Sequence, residues 1–127
     1  MTQPTRHRIE TDSLGDIAIP AQAAWGSQTQ HAVENFPITG VAISHYPELI
    51  VALAQIKAAC ARANAELGCI TDSSAATITE ICDEIIAGKH HEQFVVDVMQ
   101  GGAGTSTNMN ANEVIANLGL QRLGHGF

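Results

Sequence analysis

The residues best suited to chemistry lie together in Gln100-Gly101-Gly102-Ala103-Gly104-Thr105-Ser106-Thr107-Asn108-Met109-Asn110-Ala111-Asn112. Glycines at three of four consecutive positions permit positive φ and leave no side chain to keep a ligand away from the main chain. Thr105, Ser106, Thr107 and Asn108 then bring hydroxyls and an amide to the point where the next helix is expected to begin. A helix start carries unpaired N–H groups and a partial positive charge, so the combination suits a carboxylate. The candidate ligands are Thr105 and Ser106, with the main chain at Ala103 and Gly104. A second reading makes the same residues a tight turn followed by a helix cap, with Asn110 and Glu113 spaced as a capping box. Spacing alone leaves both readings open, because neither a G-x-G-x-x-G fingerprint nor a Walker lysine accompanies the glycines.

Other reactive side chains carry weaker signals. Lys89-His90-His91-Glu92 lacks a third ligand at helical spacing and reads as an exposed polar loop, with no metal site expected. Glu80, Asp83 and Glu84 read as the solvated face of a helix. Cys60, Cys69 and Cys82 are odd in number and without metal-type spacing, so free buried thiols in a reducing compartment are expected.

The elements that must position the glycine segment are mostly helical. Ser13-Leu14-Gly15-Asp16 reads as a turn, and Ile17-Ala18-Ile19 before Pro20 as a brief extended piece, so any sheet is small. A short helix is expected over Ala24–Asn35, ending at Phe36-Pro37. The clearest helix runs from Pro47 to about Leu67, capped near Ser44 or His45 and closed by Gly68. On its wheel Glu48, Gln55, Arg62 and Glu66 form one polar line, with Lys57 and Asn64 nearly opposite. Leu49, Val51, Leu53, Ile56 and Leu67 fill both flanks, which predicts packing on two sides.

A further helix is expected from Thr71-Asp72 to Gly88, burying Ile78, Ile81, Cys82 and Ile85. The apolar run Phe94–Met99 leads into the glycines, and a last helix turns Val114, Ile115 and Leu118 inward before stopping near Gly124. No repeat, low-complexity tract or linker interrupts the pattern, so the chain reads as one mainly α domain.

Composition bounds what such a domain can do. The 127 residues suffice for one core, and 45% apolar with 4% aromatic content means that core is built from aliphatic side chains. Thirteen acidic against six basic residues give a net charge of −7, which argues against nucleic acid or anionic lipid as partners. A small anion remains compatible, because local N–H groups hold a carboxylate whatever the global charge. The polar N-terminus and the lack of a bilayer-length apolar run lead to the expectation of a soluble, cytoplasmic protein.

Asp97 through Asn117 resembles the first motif region of aspartases and class II fumarases. The likeness extends to Arg8-Ile9-Glu10, Asp12, Gly15, Pro20, Trp25-Gly26-Ser27-Gln28-Thr29 and Glu34-Asn35-Phe36, and so covers almost the whole chain. The Gly101-Gly102-Ala103 run is similar to the aspartase form, whereas fumarases place a Ser-Gly-Thr triplet where this chain has Ala103-Gly104-Thr105. Trp25 to Thr29 fits a fumarase equally well. The resemblance implies that Thr105 binds a carboxylate of a four-carbon diacid, with Ala103 and Gly104 lining the same turn.

The chemistry it implies is elimination without an organic cofactor: a base takes a proton beside the β-carboxylate of L-aspartate, and ammonia leaves to give fumarate. It further implies that residues 1–127 form the N-terminal domain of a homotetrameric lyase. The central helical-bundle and C-terminal domains, the serine base and the second motif region would lie outside the chain. No catalytic residue is therefore expected here, and the piece alone is expected to be inactive. The alternatives are a fumarase segment and a non-catalytic helical domain that binds small acids or a partner.

Overall fold

The computed structural model describes residues 6–127. β1 (His7–Asp12) and β2 (Gly15–Pro20) pair antiparallel, in register from His7 opposite Pro20 to Asp12 opposite Gly15. Asp12 Oδ1 accepts from Leu14 N at 2.7 Å, and Gly15 adopts φ +108°, which closes a turn with little steric cost. Alternation along β2 buries Ile17 and Ile19 and leaves Ala18 exposed. The expected brief extended piece is thus one half of a hairpin.

Four α-helices make up most of the remainder: α1 (Ser27–Asn35), α2 (Pro47–Glu66), α3 (Asp72–Ile86) and α4 (Thr105–Arg122). α2 and α3 form a helical hairpin closed at Gly68, where φ is +71°. α3 starts as the sequence suggests, with Thr71 Oγ1 accepting from Ser74 N at 3.1 Å. Ile50, Ala54 and Ala58 of α2 meet Ile81, Cys82 and Ile85 of α3 and Ala111, Val114 and Ile115 of α4. Phe94 and Val96 fill the middle from an extended segment that crosses beside Ala42 and Ile43. The chain is therefore mainly α with one small hairpin.

Several expectations need correction. α1 begins at Ser27 rather than Ala24, because the preceding carbonyls are already engaged: the Arg8 guanidinium donates to the oxygens of Pro20, Ala23 and Trp25. Ser44 and His45 do not cap α2; they belong to a short 3-10 turn, Ile43–His45, and Tyr46 precedes the helix without a side-chain cap. α2 is packed on one side only, since its buried face is largely alanine while Leu49, Ile56 and Leu67 are 42%, 57% and 76% exposed.

Two polar groups are tied down where solvated ones were expected. Glu84 takes the guanidinium of Arg122 at 2.5 Å and lies 2.8 Å from His90 Nε2. His91 Nε2 donates to the Ile85 carbonyl at 2.8 Å. The His pair is thus a structural latch between the end of α3 and the next segment, with His90 in the left-handed region at φ 64°. Of the cysteines, only Cys82 is buried, whereas Cys60 and Cys69 are exposed; all three are free thiols. Burial pushes the Cys82 thiol up to about 11.

Candidate functional site

The glycine segment leaves the core at Asp97, a residue only 8% exposed. Its carboxylate accepts Thr39 N at 2.8 Å, Thr39 Oγ1 at 2.8 Å, Gly40 N at 2.9 Å and Met99 N at 2.8 Å. Burial pushes this acid up, but the four donors outweigh it and hold the group at about 2. Phe36 backs the loop: a Cβ on Gly101 would stand 3.1 Å from the Phe36 ring. Gly102 and Gly104 adopt φ +70° and +78°, so the sharp path into α4 uses the left-handed region twice.

Gly104 is the residue before α4 and has no side chain with which to cap it. Thr107 N is taken by Gln100 Oε1 at 2.8 Å, and Asn108 N by the Gly104 carbonyl at 3.1 Å. Among the described residues, the N–H groups of Thr105 and Ser106 have no acceptor. Residues 101–105 are exposed and Ser106 is half-buried, so these two amides open onto a surface next to the Thr105 hydroxyl. Lys57 of α2 reaches the same end of α4 and donates from Nζ to Asn108 Oδ1 at 2.6 Å. Two unpaired N–H groups, two hydroxyls and a nearby ammonium make a local positive corner on an acidic molecule.

Asn110 and Glu113 do not form a capping box. Asn110 is fully buried within α4; its Oδ1 accepts from Val95 N at 2.9 Å and Val96 N at 3.4 Å, and its Nδ2 donates to the Gln93 carbonyl at 2.9 Å. Glu113 reaches the start of α1, where its carboxylate accepts Gly26 N, Gln28 N and Thr29 N at 2.9 to 3.0 Å and Thr29 Oγ1 at 2.5 Å. Glu10 takes the remaining amide there, Ser27 N, at 3.0 Å. Asn117 Nδ2 completes the row by donating to the Ala24 carbonyl at 2.8 Å. The row at positions 110, 113 and 117 is one polar face of α4 that sequence reasoning missed. Its signal was present as polar residues at helical spacing beside Val114 and Ile115.

The structure thus brings Ala103, Gly104, Thr105 and Ser106 together at one helix start, and it separates them from His90, His91 and the acidic residues of α3. Among the described residues, no group of three His, Cys, Asp or Glu is placed to hold a metal ion. No helix among them is long and apolar enough to cross a membrane.

Residues 15–125, which include β2, the glycine loop and all of α4, match the protein family described as Lyase. The chain belongs to the lyase family. It is 55% identical over 125 residues to an aspartate ammonia-lyase of Pseudomonas aeruginosa, covering 98% of this chain and 26% of that protein. It is 52% identical over 118 residues to a class II fumarate hydratase of Halobacterium salinarum, covering 93% and 25% respectively. The crystal structure of a fumarate lyase:delta crystallin from Brucella melitensis superimposes with a TM-score of 0.92 at 54% identity, over 95% of this chain and 26% of that one. The chain therefore spans about a quarter of the length of the lyases it matches. The expected mainly α lyase architecture holds throughout that quarter.

Proposed function

We propose that residues 1–127 are the N-terminal domain of an aspartate ammonia-lyase, and that the start of α4 binds one carboxylate of the substrate. The observation that carries the site is the pair of unengaged N–H groups at Thr105 and Ser106, presented by a glycine loop beside the Thr105 hydroxyl. Similarity to aspartate ammonia-lyases over nearly the whole chain supports the choice of substrate. The match to a class II fumarate hydratase favours malate and fumarate as the second reading.

In the proposed reaction a base outside this chain removes a proton next to the β-carboxylate of L-aspartate. The electron pair moves into that carboxylate as an aci-carboxylate, and the C–N bond then breaks to release ammonia and fumarate. Such a proton is weakly acidic, so donors aimed at the developing charge supply much of the rate enhancement. Thr105, Ser106 and the N–H groups around Gly104 are donors of this kind, already fixed at a helix start where negative charge is favoured. No organic cofactor enters this scheme. The parent is proposed to be a cytoplasmic homotetramer whose sites draw on more than one subunit.

Thr105→Ala in the full-length enzyme is expected to lower kcat/KM for L-aspartate more than about tenfold, the loss of one charge-assisted hydrogen bond of ~1.4 kcal/mol, with the fold intact. Steady-state assays on L-aspartate and L-malate, with circular dichroism of the same samples, check both halves. Wild-type kinetics for Thr105→Ala would reduce the segment to a turn and a cap. Turnover of malate in place of aspartate would move the protein to the fumarase reading.

A further inference from the structure

One side chain holds the neck of the glycine loop. Gln100 Oε1 accepts from Thr107 N at 2.8 Å, and Gln100 Nε2 donates to Thr107 Oγ1 at 2.8 Å and to the Asp97 carbonyl at 3.1 Å. Residues 101–106 lie between these fastenings, so the two ends of the loop are joined independently of the path between them. The Asp97 end is itself fixed to the Thr39–Gly40 turn through three hydrogen bonds.

The arrangement replaces a missing cap. The third amide of a helix is ordinarily satisfied by the side chain of the residue before the helix, which here is Gly104 and has none. Gln100 supplies that acceptor from outside the helix. It saturates Thr107 N and leaves only the Thr105 and Ser106 amides open at this end of α4. Without it, a loop with three glycines has many accessible backbone states, and a bound carboxylate would have to order them.

We propose that Gln100 is a positioning residue: it pins the glycine loop so that the Thr105 and Ser106 N–H groups converge on the substrate carboxylate before substrate arrives. The proposal rests on the reading of residues 103–106 as a carboxylate site. It adds that preorganisation of this site depends on one amide side chain that does not itself touch the substrate.

The test uses the full-length enzyme and three variants, Gln100→Leu, Gln100→Glu and Thr105→Ala. Gln100→Leu keeps similar bulk and removes all three hydrogen bonds. It is expected to lower kcat/KM about tenfold, mostly through KM, because ordering the loop is required in the ground state and the transition state alike. Gln100→Glu keeps the acceptor for Thr107 N but loses the donor while ionised. Its defect relative to wild type is expected to shrink as pH falls toward the carboxyl range, because a protonated carboxyl again donates to Thr107 Oγ1. A glutamine that merely stabilised the fold would give no such pH-dependent recovery of KM.

If Thr105→Ala is damaged while Gln100→Leu keeps wild-type KM, the positioning role is wrong and the carboxylate site stands. If both variants behave as wild type, the site reading fails with it. Should Gln100→Leu fail to fold, a Gln100→Glu defect that does not change with pH overturns the proposal.

Discussion

Gly26 sits between two carboxylates and has room for nothing more. A Cβ there would lie 2.9 Å from Glu113 Cδ, 3.0 Å from Glu113 Oε1 and 3.1 Å from Glu10 Oε2. Those carboxylates accept the amides from Gly26 to Thr29, so a methyl group would push them off the bonds that start α1. Gly26→Ala is expected to destabilise the protein by about 1–3 kcal/mol, the usual cost of overpacking a tight site, read as a lower urea midpoint. An unchanged midpoint would mean that both carboxylates shift without loss. In the sequence, Gly26 is visible only as part of Trp25–Thr29. Its reason is hidden because Glu113 stands 87 residues further on. Thr105 and Gly104 were legible for the opposite cause: glycines and hydroxyls adjacent in sequence are also adjacent in space.

Elements defined by local chemistry followed the sequence closely, and those defined by distant partners did not. The Thr71 cap, Pro47 in the first turn of α2 and the glycine closures at 68 and 124 are local devices, and all are in place. The start of α1 moved because Arg8 claims carbonyls far from itself in sequence. The wheel of α2 identified apolar residues correctly, but periodicity says which side chains favour burial and not whether this chain covers them; the alanine face proved to be the one α3 and α4 cover. The segment from Phe94 to Met99 read only as apolar, and the acid at its centre turns out to fasten it. Asp97 is held at about 2, below the ordinary carboxylate value, so its contribution is full above that ordinary value. It is lost as pH falls through about 2. Asp97→Asn is expected to lower the melting temperature at neutral pH and to flatten the acid limb of a stability-versus-pH curve. Parallel acid limbs in mutant and wild type would contradict this.

At the scale of the molecule, the chain offers unengaged donors on an open surface, where the proposed site would take one carboxylate of a diacid. The Thr105 and Ser106 amides lie in the largely exposed stretch of residues 101–106, and Lys57 of α2 reaches Asn108 in the first turn of α4. Binding alone does not break a C–N bond, and the proposed scheme assigns the base to none of these residues. The 127-residue chain by itself is therefore expected to release no fumarate from L-aspartate. Fumarate absorbance in the ultraviolet, followed after mixing, checks this, and any sustained rise would place a base within these residues.

The reach of Glu113 across the domain also sets an order of events. A helix near the beginning of the chain owes most of its first turn to an acid 87 residues beyond Gly26, so the amides of Gly26, Gln28 and Thr29 stay bonded to water until α4 arrives. During synthesis that delay lasts until residue 113 has left the ribosome, and closing a loop of this length is slow compared with forming α2 and α3. The short first helix is thus a late arrival, and its amides should exchange with solvent only when the opposite end of the domain lets go.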